Sequence, residues 1–374
     1  MAAPSERSTY DVSRAELDEL LAGWGLPGYR SNQVWLGLHQ QLARFEELTA
    51  LPAALRARLA EALPPALEQV VERTADDGET VKWLWRLHDG ATVETVLMRY
   101  RDRDTVCVSS QAGCAMACGF CATGQAGFER HLTSGEIVEQ VVVAARRARE
   151  LRGSPDRSVN VVFMGMGEPM ANYDATLAAI TRMHDDMGIG ARHLTISTVG
   201  IIPGIRRLAD EPLPVNLAVS LHAATDELRD DLVPINKRYP LDDLMAACGR
   251  YLQAKGRRLS IEWALIDGVN DSFEQADALA RRAQGLPLAA HVNLIPLNPT
   301  PGYPVRGTPM GRVRAFRDRL AERGVNATIR RTRGVEIEAA CGQLRADHEA
   351  RPIAVTPRPR PAPGQRTRTV RPSA

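Results

Sequence analysis

Cys114, Cys118 and Cys121 stand in a C-x3-C-x2-C spacing directly after the short apolar run Thr105-Val-Cys-Val-Ser109. Thiolates are the usual protein ligands of iron–sulfur clusters, and so tight a loop lets one turn of backbone ligate several irons. A structural zinc site closes with four ligands, and this loop offers no fourth Cys or His. A four-iron cluster on three cysteines leaves one iron open, and an open metal position points to chemistry. A reduced thiol group or a partial zinc loop is the plainer alternative. Cys248, inside the helical pattern Leu244–Leu252, reads as a buried small hydrophobe. Cys107 lies on the strand leading into the loop. Cys341 lies in Ala339-Ala-Cys341-Gly342-Gln343, where small neighbours leave a thiol accessible and nearby arginines favour its thiolate. Cys341 is then either a nucleophile or a structural cysteine.

Positioning such a loop takes a scaffold, and residues 105–340 read as one. Strand-like apolar runs recur at 105–109, 159–164, 193–198, 215–221, 259–265, 291–295 and 326–330, with helical patterns between them. The helix over 134–151 is opened by Thr133-Ser134 with Glu136 in its first turn. Repeated βα units of this kind predict an α/β fold, a parallel sheet with outer helices, and ligands at the C-terminal ends of the strands. Polar residues gather at those ends: Gly165-Met-Gly167-Glu168-Pro169, Ser197-Thr198, Ser220-Leu221-His222 and Asn298. Each alone has a plain explanation, a strand-to-helix turn for the first and a satisfied structural His for His222. Four at four strand ends point to one ligand site, with glycine backbone approaching closely and Glu168 accepting from an ammonium group.

Ahead of the scaffold, residues 1–65 read as a small helical domain. Ser13 caps a first helix with Glu16 three residues on, and helical patterns follow over Ser31–Leu42 and Ala53–Ala62, stopped by Pro64-Pro65. It serves packing or RNA contact. Residues 66–104 predict a β-hairpin, Val81–Leu87 and Thr92–Met98 about the Asp89-Gly90 turn. Glu94 falls on its second strand, on the face opposite Val93 and Thr95, where a solvated side chain is the ordinary reading. Residues 105–348 form the scaffold with Cys341 near its end, and 349–374 a Pro/Arg-rich tail that cannot build a core.

The 374 residues suffice for a full core, and six cysteines do not make a disulfide scaffold. The N-terminus lacks an apolar leader, and no apolar run approaches a membrane span, so the chain reads as cytoplasmic. The net charge of +2 hides an uneven spread. Residues 306–333 carry nine Arg against Asp318 and Glu322, either a phosphate-contacting face or a solvated basic helix.

The cysteine spacing resembles that of the radical SAM superfamily, whose open iron binds S-adenosylmethionine (SAM). Further motifs are similar to one family in it, the dual-specificity 23S rRNA and tRNA adenosine C2 methyltransferases (RlmN type). They are Val93-Glu94-Thr95, Cys107-Val-Ser-Ser-Gln through Cys121, Gly165–Pro169, Ser197-Thr198, Ser220–His222, Val233-Pro-Ile-Asn-Lys237, Asn298-Pro299 and Arg333-Gly334 through Leu344. Tyr29-Arg30 and Gln33-Val-Trp35 extend the likeness towards the N-terminus, and Glu336 departs from the family's usual Asp.

The resemblance implies a partial (βα)6-type barrel with a [4Fe–4S] cluster on Cys114, Cys118 and Cys121. SAM would be bound by Gly167, Glu168, Ser197, Ser220, Leu221, His222 and Asn298. It further implies a ping-pong transfer using two SAM. Cys341 takes a methyl group, a 5′-deoxyadenosyl radical removes hydrogen from it, and the carbon radical adds to C2 of adenine. Glu94 accepts the C2 proton, and Cys107 releases the product as a Cys107–Cys341 disulfide. The implied substrates are adenosine 2503 of 23S rRNA and adenosine 37 of tRNAs, acted on by a monomer with a flavodoxin-like electron donor and no membrane. The Cfr-type C8 methyltransferases share the cluster loop and both working cysteines and remain the alternative. A non-catalytic RNA-binding protein has no use for the two extra thiols.

Overall fold

A computed structural model describes residues 7–152, 159–298, 300, 302–303, 305–330, 334, 337–339 and 342–344. Three helices come first: α1 (Arg14–Gly23), α2 (Tyr29–His39) and α3 (Ala53–Ala62). The α1 start is the expected capping box: Glu16 N–H donates to Ser13 Oγ at 3.2 Å and Ser13 N–H to Glu16 Oε2 at 2.8 Å. The second helix begins two residues earlier and ends three earlier than its apolar pattern suggests, and Leu42 beyond it takes a left-handed φ of 57°. This helical segment shares one apolar core with the rest of the chain. Trp35 Nε1 donates to Asp186 Oδ1 at 2.8 Å, which fixes α2 against the scaffold.

Ten strands form one sheet. Its antiparallel edge is β1 (Glu68–Ala75), β2 (Thr80–Arg86) and β3 (Thr92–Arg99), and β4 (Asp104–Cys107) pairs antiparallel with β3. The predicted hairpin is therefore two strands of a three-stranded extension. Glu68-Gln-Val-Val-Glu-Arg-Thr-Ala75 escapes a strand reading because it is an edge whose side chains are mostly exposed or half-buried. A small ribbon, β5 (Gln111–Gly113) with β6 (Phe128–His131), flanks the cysteine loop and its short helix α4 (Ala122–Ala126). Sequence pattern does not reveal this ribbon either, since neither strand is long or apolar enough to show a period.

From β4 the sheet runs parallel and in chain order through β7 (Val159–Phe163), β8 (Leu194–Thr198), β9 (Asn216–Ser220), β10 (Leu259–Leu265), β11 (Ala290–Pro296) and β12 (Asn326–Ile329). All seven lie where apolar runs predicted them. The connecting helices are α5 (Ser134–Arg152), α6 (Tyr173–Asp185), α7 (Ile202–Asp210), α8 (Asp226–Leu232) with α9 (Leu241–Lys255), α10 (Phe273–Gln284) and α11 (Met310–Glu322). Six strands each followed by helix, with β1 and β12 left as edges, make an open (βα)6 barrel. Runs such as Ile261, Trp263 and Leu265 are wholly buried, and each such side chain contributes about 1.5–3 kcal/mol by leaving water. Cys248 is buried in α9 as expected. Among the described residues no helix is long and apolar enough to cross a membrane.

Candidate active site

The strand ends converge. One cleft of about 1060 Å³ is lined by Cys114, Cys118 and Cys121, by Gly167 and Glu168 after β7, and by Ser197, Ser220, His222 and Asn298 at the ends of β8, β9 and β11. Of the predicted ligand-binding residues only Leu221 is absent from the lining. Its side chain is buried, while its N–H donates to Glu262 O at 3.0 Å and its carbonyl accepts from Arg229 Nε at 3.0 Å.

The cysteine loop is locked to the glycine turn beside it. Met166 N–H donates to Ser109 Oγ at 3.0 Å, Ser109 Oγ to Glu94 O at 2.6 Å, and Glu168 N–H to Gln111 Oε1 at 2.7 Å. This explains why Ser-Ser-Gln precedes the cysteines. Gly167 has φ +97°, and a Cβ there would lie 2.5 Å from the Gln111 side chain, so the turn closes only with glycine. The Glu168 carboxylate accepts from Met170 N–H (3.0 Å) and Val199 N–H (2.9 Å), yet burial outweighs these bonds and pushes its pKa up to about 7.

His222 sits at a φ of +61°, strained for a side chain of its size. Ala264 N–H donates to its Nδ1 at 2.9 Å, and Asn270 Nδ2 to its carbonyl at 2.8 Å. Burial and then Arg229 lower its pKa to about 3, so the ring is neutral and its Nε2 carries the proton. Arg229 itself is fully buried. It donates to the carbonyls of Leu221, Ser220 and Val199 and to Asn236 Oδ1, thereby tying two strand ends to the Val233–Lys237 segment.

The thiols suit a cationic cluster. Burial, a backbone hydrogen bond notwithstanding, pushes Cys114 up to about 12, and Cys118 is raised well above its ordinary value by burial and then by Cys121 and Cys114. Three crowded thiolates, Cys118 buried and Cys114 and Cys121 half-buried, are costly unless positive metal neutralises them. The residues therefore fit the group.

Glu94 and Cys107 lie on β3 and β4 and are not among the residues that line the cleft; Ser109, which donates to Glu94 O and accepts from Met166 N–H, links the Glu94 backbone to the glycine turn. Cys107 faces Val96 in the register, two residues along β3 from Glu94. Glu94 is buried, not solvated, and Lys82 on β2 meets it: Nζ to Oε1 is 3.1 Å, with both side chains under a tenth exposed. Lys82 also donates to Glu338 O at 3.2 Å. Cys341 lies outside the described residues, as do Glu336 and the tail. The described residues near it are placed: Gly342 O accepts from Ala122 N–H at 2.8 Å, and Gly342 and Leu344 line the cleft.

Sequence reasoning missed Lys82, Arg229 and Glu262, and read Arg330 only as one of the arginines of the basic segment. Glu262 and Arg330 line the cleft, and a lone Glu in the apolar strand Ile261-Glu-Trp-Ala-Leu265 is a readable signal. Of the nine arginines in the basic segment four are matched by carboxylates of this chain, and Arg331 and Arg333 lie outside the described residues. Arg312 pairs with Asp267 and Asp271, Arg317 with Asp318, and Arg319 and Arg323 with Asp277.

Comparisons with known proteins agree with this arrangement. The family described as the Radical SAM superfamily matches residues 108–280. A probable dual-specificity RNA methyltransferase RlmN of Chloroflexus aurantiacus is 51% identical over 355 residues, covering 92% of this chain and 94% of its own. Dual-specificity RNA methyltransferase RlmN 1 of Myxococcus xanthus is 48% identical, covering 94% and 98%. A crystal structure of a radical SAM methyltransferase from Sphaerobacter thermophilus superposes with a TM-score of 0.87 at 53% identity, covering 91% of this chain and 100% of that one. This chain belongs to the RlmN family of dual-specificity RNA methyltransferases, a radical SAM family, and that membership implies a [4Fe–4S] cluster and SAM.

Proposed function

We propose that the enzyme methylates C2 of adenosine in RNA, at adenosine 2503 of 23S rRNA and adenosine 37 of tRNAs, through a methyl-cysteine at Cys341. The observation that carries this reading is the convergence of the three loop cysteines and the strand-end polar residues on one cleft, with the buried Glu94–Lys82 couple on β2 and β3 of the same sheet. Glu338 and Gly342, on either side of Cys341 in sequence, contact Lys82 and α4 respectively.

Cys114, Cys118 and Cys121 would hold a [4Fe–4S] cluster, which when bound would supply the electron for cleaving SAM. Glu168 accepts from the SAM ammonium, while Ser197, Ser220, the Nε2–H of His222 and Asn298 hydrogen-bond the rest, with Leu221 fixing the strand end that carries Ser220 and His222. Cys341, as thiolate, displaces the methyl group of a first SAM and releases S-adenosylhomocysteine. The S-methyl group then gives one hydrogen atom to the nucleoside fragment of a second SAM. Its carbon adds to C2 of adenine, a carbon with no lone pair to attack SAM directly.

Glu94 takes the C2 proton as the adduct radical gives up its unpaired electron, for which the bound cluster would be the acceptor, and the ring becomes aromatic again. Lys82 holds the Glu94 carboxylate in place. Cys107 attacks the Cys341 sulfur and breaks the carbon–sulfur bond, and the freed carbon takes up a proton to become the methyl group. The two thiols supply the electrons consumed in cleaving the second SAM and end as a Cys107–Cys341 disulfide. A flavodoxin-like donor primes the reaction, and a reductant of the cytoplasm reopens the disulfide. The target base leaves its stack to reach the cleft. The enzyme acts as a monomer.

The test is nucleoside mass spectrometry of 23S rRNA and tRNA from a host lacking its own C2 enzyme, with and without this gene. Appearance of 2-methyladenosine is expected. Appearance of 8-methyladenosine would move the chain to the C8 chemistry. Cys107→Ala is expected to trap an RNA adduct through Cys341, seen as a slow, RNase-sensitive band on a denaturing gel, and no adduct would sink the resolving role.

A further inference from the structure

The turn between β1 and β2 is strained, and it touches the far end of the chain. Asp76 and Asp77 stand at φ +53° and +55°. Two consecutive left-handed residues other than glycine persist only where their surroundings hold them. At Asp76 those contacts are plain. Its Oδ2 accepts from Thr80 Oγ1 at 2.6 Å and from the backbone N–H of Gly334 at 3.0 Å, 258 residues further along the chain. None of the steps above uses Asp76.

Gly334 is buried and packed so closely on β2 that a Cβ there would lie 2.9 Å from Thr80 Cγ2. Its carbonyl accepts from Ile337 N–H at 3.2 Å and from Ala339 N–H at 2.8 Å, which ties these residues to it. Between them Glu338 is left-handed at φ +54°, and its carbonyl accepts from Lys82 Nζ at 3.2 Å. Thr80 and Lys82 lie two apart on β2 and so share a face. Lys82, Val96 and Cys107 are register partners across β2, β3 and β4, which puts Cys107 on that same face. On the other side of Cys341 in sequence, Gly342 O accepts from Ala122 N–H at 2.8 Å, directly after Cys121 of the cysteine loop.

The stretch that carries Cys341 is therefore framed by anchors on the antiparallel extension and on α4. Among the described residues no strand follows β12, so sheet pairing does not hold the described part of this stretch, and side-chain anchors must. A displacement reaction demands such holding: sulfur and methyl carbon must meet in line at about 3–3.5 Å, and a small misplacement costs much of the rate. We propose that Asp76 is a positioning residue for methyl transfer to Cys341, the strained β1–β2 turn clasping Gly334 while Lys82 holds Glu338. This rests on the reading of Cys341 as the methyl carrier. The clasp acts by hydrogen bonding, since the two groups that Asp76 holds, a backbone N–H and a hydroxyl, are neutral.

The experiment is a single turnover of methyl-labelled SAM by the cluster-loaded full chain, read by mass spectrometry of the Cys341 peptide. RNA and reductant are left out, so that the reaction stops at the S-methyl group. Asp76→Gly removes the clasp and also relieves the left-handed strain, so the fold should persist. It is expected to slow methylation of Cys341 about ten-fold, the low end for a hydrogen bond to a charged group. Affinity for S-adenosylhomocysteine and cluster absorbance should stay unchanged, because Asp76 is not among the residues that line the cleft. Asp76→Asn keeps an acceptor oxygen and tolerates the left-handed region, and should stay within about three-fold of the unmodified rate. D76G at the unmodified rate, or D76N as slow as D76G, would overturn the clasp. So would a fall of ligand affinity or cluster content in D76G that matches its fall in rate, since that marks a general structural role. An unmodified protein that takes no label on Cys341 would overturn the methyl-cysteine reading itself, and the clasp with it.

Discussion

The parallel and antiparallel parts of this one sheet place their chemistry by different rules. In the parallel part the polar cleft groups other than Glu262 lie in or next to a turn just past an apolar strand, or near its C-terminal end, where topology opens the barrel. In the antiparallel extension, Lys82 and Glu94 lie within β2 and β3, paired across a register in which Leu84 faces Glu94. The first arrangement uses loops that a rigid scaffold holds in place. The second uses the scaffold itself, so its chemistry is inseparable from its packing.

Removing a ligand should therefore act differently in the two parts. Cys118→Ala is expected to abolish both cluster absorbance and turnover while leaving the thermal transition of the protein little changed. Glu94→Gln is expected to keep the cluster and SAM binding and to lose about 10²–10⁴-fold in turnover, the usual weight of a general base. Cluster loss in E94Q would blur the distinction between the two parts.

The Lys82–Glu94 couple sharpens it further. Lys82→Met leaves a carboxylate buried without its ammonium, and breaking such a pair costs about 3–5 kcal/mol. The double variant K82M/E94Q removes both charges and should be more stable than K82M alone. Denaturant unfolding of the four proteins measures the coupling. Additive losses would mean that the two residues act independently.

A pH effect of about tenfold belongs to the parallel part. With its pKa raised to about 7 by burial, Glu168 is about one-tenth ionised at pH 6 and mostly ionised at pH 8. A ligand ammonium requires the ionised form, so affinity for S-adenosylhomocysteine should be about tenfold weaker at pH 6 than at pH 8. The same shift bears on folding. The folded state holds its Glu168 proton to higher pH than the unfolded chain does, so this group's contribution falls as pH rises from about 4.5 to 7. Glu168→Gln should flatten the binding profile. Neutral His222 cannot supply the slope, because its pKa lies far below this window.

How much of this is readable in the sequence follows from the same contrast. The seven parallel strands announce themselves as apolar runs because both faces are covered, and the residues ending those runs, Glu168, Ser197, His222 and Asn298, stand out against them. Glu94 alternates with Val93 and Thr95 like any half-solvated strand residue, and only the fold shows that its face is closed by Lys82 and the segment at Glu338. Lys82 is invisible for the same reason. Arg229 looks like the middle of a short polar helix, Asp226–Leu232, and its burial depends on carbonyls from β9 and Val199 that local pattern does not contain. Glu262 is legible as a polar interruption in an apolar strand, yet it is easily passed over because it sits inside the run instead of at its end.

The smallest expected effect concerns the basic segment, where the sequence offers a phosphate face or a solvated helix and the fold matches four of its nine arginines with carboxylates. Arg312, Arg317, Arg319 and Arg323 are held by carboxylates of this chain, whereas Arg306 and Arg314 are exposed and have no acidic partner among the described residues. Each cation that neutralises an RNA phosphate releases counterions and steepens the fall of affinity with salt by about 0.7–0.9 in logarithmic slope. Arg314→Glu should thus flatten the salt slope of tRNA binding by about one unit if α11 touches the backbone. Arg317→Ala, whose charge is already matched by Asp318, should leave it unchanged. A flat response to R314E would leave α11 as a solvated outer helix and confine RNA recognition to the cleft side of the sheet.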